Sequence, residues 1–171
     1  NTATSNGQAV AIIDPQEAGT IIDEGNGTGD LSITLKTVNA SAVEPNDTNE
    51  NFTGSNIPAT YTVELSNASA YATTVNLTVT GSGPNPTSAA DVQSFQYFNG
   101  TTWVDIPADG NVTIAAGQTT LDIRVNPAAD TIYENIENFN VNLNTATSNG
   151  QAVAIIDPQE AGTIIDEGNG T

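Results

Sequence analysis

The sequence predicts an all-β fold, an antiparallel β-sandwich, on three observations. Apolar residues alternate with polar ones in several segments, these segments are rich in Thr, Val and Ile, and the stretches between them carry Gly, Pro, Asn and Asp. Alternation with a period of two is typical of a strand with one buried face. No segment shows the apolar spacing of an amphipathic helix. With 171 residues, 37% of them hydrophobic, the chain can bury one core.

The predicted strands follow from this alternation. Their inward-facing residues, in chain order, are Leu31, Ile33 and Leu35; Tyr61, Val63 and Leu65; Val75, Leu77 and Val79; Leu121, Ile123 and Val125; and Phe139, Val141 and Leu143.

Two connections carry turn signals. Asn99-Gly100, between FQYF and TTWVDI, predicts a tight hairpin of the primed type, because both residues tolerate positive φ. We expect Trp103 to cover one end of the core, and a carbohydrate platform is the alternative for this aromatic residue. The DPQE sequence at residues 157–160 predicts a turn before the last strand, because Asp-Pro has ordinary turn chemistry.

The chain also contains a long exact repeat. Residues 1–28 return letter for letter as residues 144–171, a period of 143 residues. Exact identity over that length indicates a tandem array, and one domain per repeat is the natural division. We therefore assign residues 1–28 to the last strand or strands and linker of a preceding repeat, residues 29–166 to one sandwich domain, and residues 167–171 to the start of the next linker. The first segment is expected to be disordered, to pair with another molecule, or to exchange with its C-terminal copy.

The charge balance excludes several classes of function. Twenty Asp and Glu face two cations, Lys36 and Arg124, for a net charge of −18, and the chain has no His or Cys. Nucleic-acid binding needs cations that are missing here, and no apolar run of membrane-spanning length occurs, so we expect no membrane insertion. Zinc-thiolate sites, disulfides and cysteine or histidine catalysis are excluded. We expect no enzyme activity and no small-molecule substrate, although carboxylate-only chemistry stays possible in principle.

The acidic residues predict a calcium centre. Strand ends that converge can supply the oxygen ligands that Ca²⁺ prefers from distant sequence positions. The turn at residues 127–143 is the most acidic, and the strand directions bring several other carboxylates to the same pole. The predicted ligands there are Glu44, Asp91, Asp130, Glu134, Glu137 and Asp166.

The linker between repeats is short and acidic. It carries Asp23, Glu24 and Asp30, and Asp166 and Glu167 in the second copy. These residues are predicted to hold calcium between neighbouring repeats and so to set their relative orientation.

The C-terminal part of the chain resembles the Calx-beta module. The acidic turn with Asp130, Glu134, Glu137 and Phe139, the strand with Val141 and Leu143, and the final strand at residues 163–166 match that family's pattern. The resemblance implies an immunoglobulin-like sandwich with Greek-key connections. It also implies calcium ligation, with Glu137 either a ligand or a brace for the turn.

The exact repeats and the composition also resemble the extender region of RTX-type bacterial adhesins, although the glycine-rich nonapeptides of that group are absent. The resemblance implies a calcium-stabilised structural repeat, extracellular on the bacterial surface. Such repeats project a distal binding domain for attachment or biofilm formation. The expected partners are neighbouring identical repeats. The alternative is a carbohydrate- or protein-binding module of an adhesin, with the loop at residues 45–58 as its candidate surface.

Overall fold

The computed structural model describes residues 30–45, 56–129 and 134–166, and the backbone of residues 3–5 and 8–10. The chain divides into two compact units, Asn1–Asp30 and Leu31–Thr171. No helix in the described part of the chain has the length and hydropathy that a membrane crossing requires.

The first unit contains one small hairpin, β1 (Ala3–Ser5) and β2 (Gln8–Val10). The strands pair antiparallel with Ser5 opposite Gln8. Residues 146–153 have the same sequence, and there Ser148 lies opposite Gln151 in the same register. The same local sequence therefore forms the same hairpin in both copies.

The described strands of the second unit are β3 (Ser32–Asn39), β4 (Ser41–Val43), β5 (Ala59–Leu65), β6 (Thr73–Gly81), β7 (Val92–Phe98), β8 (Trp103–Asp105), β9 (Asn111–Ile114), β10 (Thr120–Pro127), β11 (Glu137–Ser148), β12 (Gln151–Ala152), β13 (Ala154–Asp157) and β14 (Gln159–Ile165).

These strands form two sheets that face each other. One sheet has the order β13-β3-β5-β10-β7-β8, and the other has the order β4-β14-β11-β6-β9, with β12 paired to β11. The pairing is antiparallel except at one edge of each sheet, where β13 runs parallel to β3 and β4 runs parallel to β14. The predicted all-β sandwich is confirmed.

The core lies between the sheets and is built from the alternating residues that the sequence marks. Thirteen of the fifteen predicted inward-facing residues are buried, and the other two, Leu31 and Val79, are partly buried against them. Tyr61 of β5 and Phe139 of β11 meet across the sheets in an edge-to-face contact, with ring centroids 6.5 Å apart. Burial, and secondarily the negative charge of Glu160, raises the pKa of Tyr61.

Two short interruptions carry the chain from one sheet to the other. Ala40 separates β3 from β4, and Pro158 separates β13 from β14. Pro158 has no N–H to donate to a ladder, while its carbonyl accepts a hydrogen bond from the Leu143 N–H at 2.8 Å. The predicted DPQE turn is therefore wrong, because these residues cross between sheets within an extended segment.

The hairpin at Asn99 forms, but not with the predicted turn. Phe98 lies opposite Trp103, so the loop has four residues, and the Asn99 Oδ1 accepts the N–H groups of Thr101 and Thr102. Only Gly100 has positive φ there. The two-residue turn with both φ values positive is Asn149-Gly150, at 49° and 76°, as primed turns require.

Trp103 does not cover an end of the core. It lies on the edge strand β8, packs beside Phe98 with ring centroids 5.5 Å apart, and carries Arg124 over its ring. Arg124 lies between the buried residues Ile123 and Val125, so it faces away from the core. Trp103 therefore belongs to the outer face of its sheet.

Candidate metal centre

Strand ends from both sheets meet at one pole of the second unit, the acidic pole. In one sheet β4 and β14 end together, since Val43 pairs with Ile165, and β11 begins there, since Glu137 pairs with Ile164. In the other sheet β10 ends where β7 begins. The described carboxylates at or next to these ends are Glu44, Asp91, Glu134, Glu137 and Asp166.

Three of these carboxylates come from both sheets and lie together. One oxygen each from Asp91, Glu134 and Glu137 lies within 4.8 Å of the other two. Calcium–oxygen distances are about 2.3–2.6 Å, so oxygens on opposite sides of one ion are separated by about 4.6–5.2 Å. The three oxygens can therefore contact a single calcium ion without moving apart.

Asp91 is held in place by its own loop. Its Oδ2 accepts the Ser88 N–H at 2.6 Å, and its carbonyl oxygen accepts the Ala128 N–H at 2.8 Å. The side chain is buried, with the residue 7% exposed. Burial of a carboxylate is costly without hydrogen bonds and a compensating charge, and the loop supplies the hydrogen bonds.

The loop before Asp91 is fastened to the start of β11. The Asn138 carbonyl accepts the N–H groups of both Ser82 and Thr87 at 2.9 Å, and the Asn138 N–H donates to Asn85 at 2.8 Å. These bonds set Asp91 against Glu137, the residue before Asn138. Sequence reasoning missed Asn138 and Ser88 as positioning residues, although a Ser three residues before an Asp is a known local hydrogen-bonding pattern.

The remaining two carboxylates border this trio. The Asp166 Oδ2 accepts the Glu134 N–H at 2.7 Å, which ties the end of β14 to the acidic turn. Glu44 is buried at 6% exposure, and its N–H donates to the Ile165 carbonyl at 3.1 Å. The structure thus places Glu44 and Asp166 at the same strand end, next to the trio.

Neither of the two cationic side chains forms an ion pair with a described carboxylate of the acidic pole. Lys36 forms an ion pair with Glu64, and Arg124 lies over Trp103 with its Nε bonded to Gln96. Two like charges at about 4 Å repel by about 1 kcal/mol in water and several times that near a protein surface. Clustered hard oxygen donors without a cationic side chain suit a divalent cation such as Ca²⁺.

The other predicted ligands are not among the described residues of the acidic pole. Asp23, Glu24, Asp130 and Glu167 are outside the described residues, and Asp30 falls in the first unit. Metal binding by the predicted residues stays a prediction.

A cavity opens beside Asp91, between β6 and β7. It measures about 340 Å³ and is lined by Val79, Gly81, Ser88 and Phe95 among others. None of its lining residues within the described part of the chain is a carboxylate, so the trio does not form a catalytic pair inside it.

Comparisons with known proteins bear on the fold. The chain is similar to the crystal structure of CBD12 from CALX1.2, with a TM-score of 0.51 and 12% identity, over 78% of this chain and 45% of that one. It is also similar to the apo form of the Calx CBD1 domain, with a TM-score of 0.48 and 14% identity, over 80% of this chain and 98% of that one. The similarity to CBD12 indicates a Calx-beta-like fold. No protein-family model and no characterised protein matches the sequence.

Proposed function

We propose that this chain is a calcium-stabilised structural repeat, an extender domain of a bacterial cell-surface adhesin. The observation that carries the calcium part is the trio Asp91, Glu134 and Glu137, whose oxygens lie within 4.8 Å of one another. The exact return of residues 1–28 after a period of 143 residues supports the extender part. The Calx-beta-like fold is consistent with both.

Calcium would supply positive charge and fill the coordination positions between strand ends. Without it, Asp91 and the two glutamates repel one another across the two sheets. A ligand that binds only the folded state raises the free energy of unfolding by mass action. The residues at the pole then hold β7, β11 and β14 together rather than forcing them apart.

In the proposed array the acidic pole would face the junction with the next repeat. β14 ends at Ile165, and Asp166 and Glu167 follow; in the first copy the equivalent pair, Asp23 and Glu24, is followed by Asp30. Carboxylates of the linker are therefore next in sequence to those of the pole. Shared ligation there would orient one repeat on the next and make the array stiff.

Extracellular calcium is millimolar, which suits weak sites of about 10⁻⁴ to 10⁻³ M. A repeat tuned to that range would remain loose in a calcium-poor cytoplasm and become rigid after export. Calcium dependence in this range is thus the first property to measure.

The test is thermal unfolding of the 171-residue chain in EDTA and after addition of 5 mM Ca²⁺. We expect calcium to raise the melting temperature by more than about 10 °C, which corresponds to several kcal/mol for a domain of this size. Asp91→Asn and Glu134→Gln should each remove most of that rise. Asp122→Asn is the matched control, because Asp122 is exposed on the outer face of β10 and bonds to Thr62.

Two outcomes would count against this function. Equal melting temperatures in EDTA and in calcium would contradict the proposed calcium centre. A calcium effect that Asp122→Asn reduces as much as Asp91→Asn would mean diffuse screening of the net charge rather than a site. For the extender part, scattering from a chain of several repeats should show a longer, stiffer particle with calcium than with EDTA.

A binding module is the second candidate, and its predicted loop at residues 45–58 lies largely outside the described residues. Catalysis is the third. Asp91→Asn or Glu134→Gln would then abolish an activity while leaving the melting temperature unchanged, whereas the proposed role predicts loss of stability.

A further inference from the structure

A second polar cluster lies on the outer face of the sheet that contains β7, β8 and β10. We name it the tryptophan–arginine patch, consisting of Gln96, Phe98, Trp103, Arg124 and Asn126. Cross-strand register places Arg124 opposite Gln96 and Phe98 opposite Trp103. Residues of one face are two apart along each strand, so all five side chains share this face.

The patch holds the arginine over the indole ring. The guanidinium carbon of Arg124 lies 4.4 Å from the centroid of the Trp103 ring. Its Nε donates to the Gln96 Oε1 at 2.9 Å, and the same oxygen accepts the Asn126 Nδ2 at 3.1 Å. The terminal Nη groups of Arg124 make no hydrogen bond within the described residues.

This arginine is anomalous for such an acidic chain. Twenty carboxylates face two cations, yet the only salt bridge among the described residues is Lys36 with Glu64. Two acids flank Arg124 on its own face, and both bond to neutral groups: Asp105 accepts the Gln96 Nε2 and Asp122 accepts the Thr62 hydroxyl, each at 2.8 Å. The guanidinium therefore keeps donors for an external acceptor.

Donors and an aromatic ring together indicate the ligand chemistry. A guanidinium presents a planar fork that matches a carboxylate bidentately. Trp103 remains partly exposed on the edge strand, and an aromatic surface next to polar groups suits the apolar face of a sugar ring. The Gln96 amide positions the arginine, since its Oε1 accepts hydrogen bonds from the Arg124 Nε and from the buried Asn126 amide.

We propose that the tryptophan–arginine patch binds glycans that carry a carboxylate, such as chains of uronic acid. The net charge of −18 opposes such a ligand at long range, but screening confines that repulsion to about 8 Å at physiological salt. Each site alone is weak. In the tandem array that the return of residues 1–28 at 144–171 indicates, a patch in each repeat would let a long polysaccharide contact several copies and bind with avidity.

The experiment titrates the folded 171-residue chain, in calcium and 0.15 M NaCl, with the hexamer of galacturonic acid. The matched ligand is the same hexamer with its carboxylates methyl-esterified. The variants are Arg124→Gln and Trp103→Ala, with Lys36→Gln as the control that removes the same charge from another part of the sheet. Thermal melting of each variant checks folding, and Arg124→Lys and Trp103→Phe replace any variant that fails it.

We expect millimolar binding that weakens roughly tenfold or more in Arg124→Gln, in Trp103→Ala and with the esterified hexamer, as loss of a charge-assisted bidentate contact implies. Lys36→Gln should change the affinity less than twofold. No binding to the folded wild-type chain overturns the proposal. So does an equal loss in Lys36→Gln, binding that survives Arg124→Gln, or equal affinity for the esterified hexamer.

Discussion

Gly162 is the position where one added methyl group should damage the fold most. It lies on β14 opposite Phe139 of β11, and the Phe139 and Tyr61 rings pack over its backbone. A Cβ at residue 162 would lie 2.3 Å from Phe139 Cζ, 2.3 Å from the Tyr61 hydroxyl oxygen and 2.6 Å from Phe139 Cε2. Ordinary contacts are about 3.5–4.0 Å, so both rings must retreat by more than about 1 Å.

Neither ring has room to retreat. Phe139 is 0% and Tyr61 1% exposed, and they contact each other edge to face across the two sheets. Overpacking a filled core costs about 1–3 kcal/mol and occasionally more. With two rings displaced, we expect Gly162→Ala to lower the free energy of unfolding by about 3 kcal/mol or more. For a domain of this size that is a loss of roughly 6–12 °C in melting temperature.

The assay is thermal and urea unfolding in saturating calcium. Phe139→Leu removes the ring atoms that the methyl group would strike, so the double variant should be less destabilised than the sum of the two single changes, by about 1 kcal/mol or more. Gly19→Ala is the matched control, because Gly19 has the same neighbours in sequence within the first unit. A Gly162→Ala monomer that melts within 2 °C of the wild type would refute the packing argument.

Two further predictions concern single residues. Because burial raises the pKa of Tyr61 above its usual value of about 10, the folded state holds this proton more tightly. The contribution of Tyr61 to the free energy of unfolding should be fully present below about pH 10 and fall by up to about 1.4 kcal/mol per pH unit as the pH rises further. Urea titrations from pH 8 to 11 should show a flatter decline for Tyr61→Phe than for the wild type. Parallel curves would contradict this. Asn149 has a φ of 49°, a conformation that alanine adopts with strain, so Asn149→Ala should lower the free energy of unfolding by about 1 kcal/mol. Asn149→Gly should lower it less. Equal losses would mean that the backbone conformation is not the cause.

Period-two alternation predicted the core because each strand buries one face against the other sheet. Ile33 and Leu35, or Val141 and Leu143, need no partner to be identified, since their neighbours along the strand are polar. The information is local, and so the residues were found.

Turn type was not local in the same way. Asn99-Gly100 and Asn149-Gly150 are the same dipeptide, but strand register decides the loop length. Phe98 opposite Trp103 leaves four residues, and Ser148 opposite Gln151 leaves two. The same limit explains Trp103: its position on the outer face follows from its pairing with Phe98, which the alternation around it does not show.

The acidic pole could be predicted in part from the sequence. Strand directions were enough to predict that the ends carrying Glu44, Asp91 and Asp166 meet, while the fourth predicted residue, Asp130, lies outside the described residues. They were not enough to predict that Asp91 and Glu137 share one small volume, because that depends on how Asn138 fastens the loop at residues 82–91 to β11. Ligand sets assembled from distant loops require the tertiary structure.

The exact repeat places the same sequence at two positions in the chain, which can be compared. The hairpin of Ala3–Ser5 and Gln8–Val10 pairs in the same register as its C-terminal copy, because a two-residue turn and its flanks suffice. Residues 11–22 carry the sequence of β13 and β14, yet β14 is held between β4 and β11 in its own sheet. The copy of that sequence at residues 11–22 can compete for the same place. Gly162→Ala weakens the packing of β14 but does not change the sequence of residues 11–22. If residues 11–22 of one molecule then replace β14 of another, the result is a dimer of near-normal stability. Adding Gly19→Ala to Gly162→Ala should abolish that dimer. A destabilised monomer in both variants would exclude exchange, and size-exclusion chromatography beside the melting curves distinguishes the two.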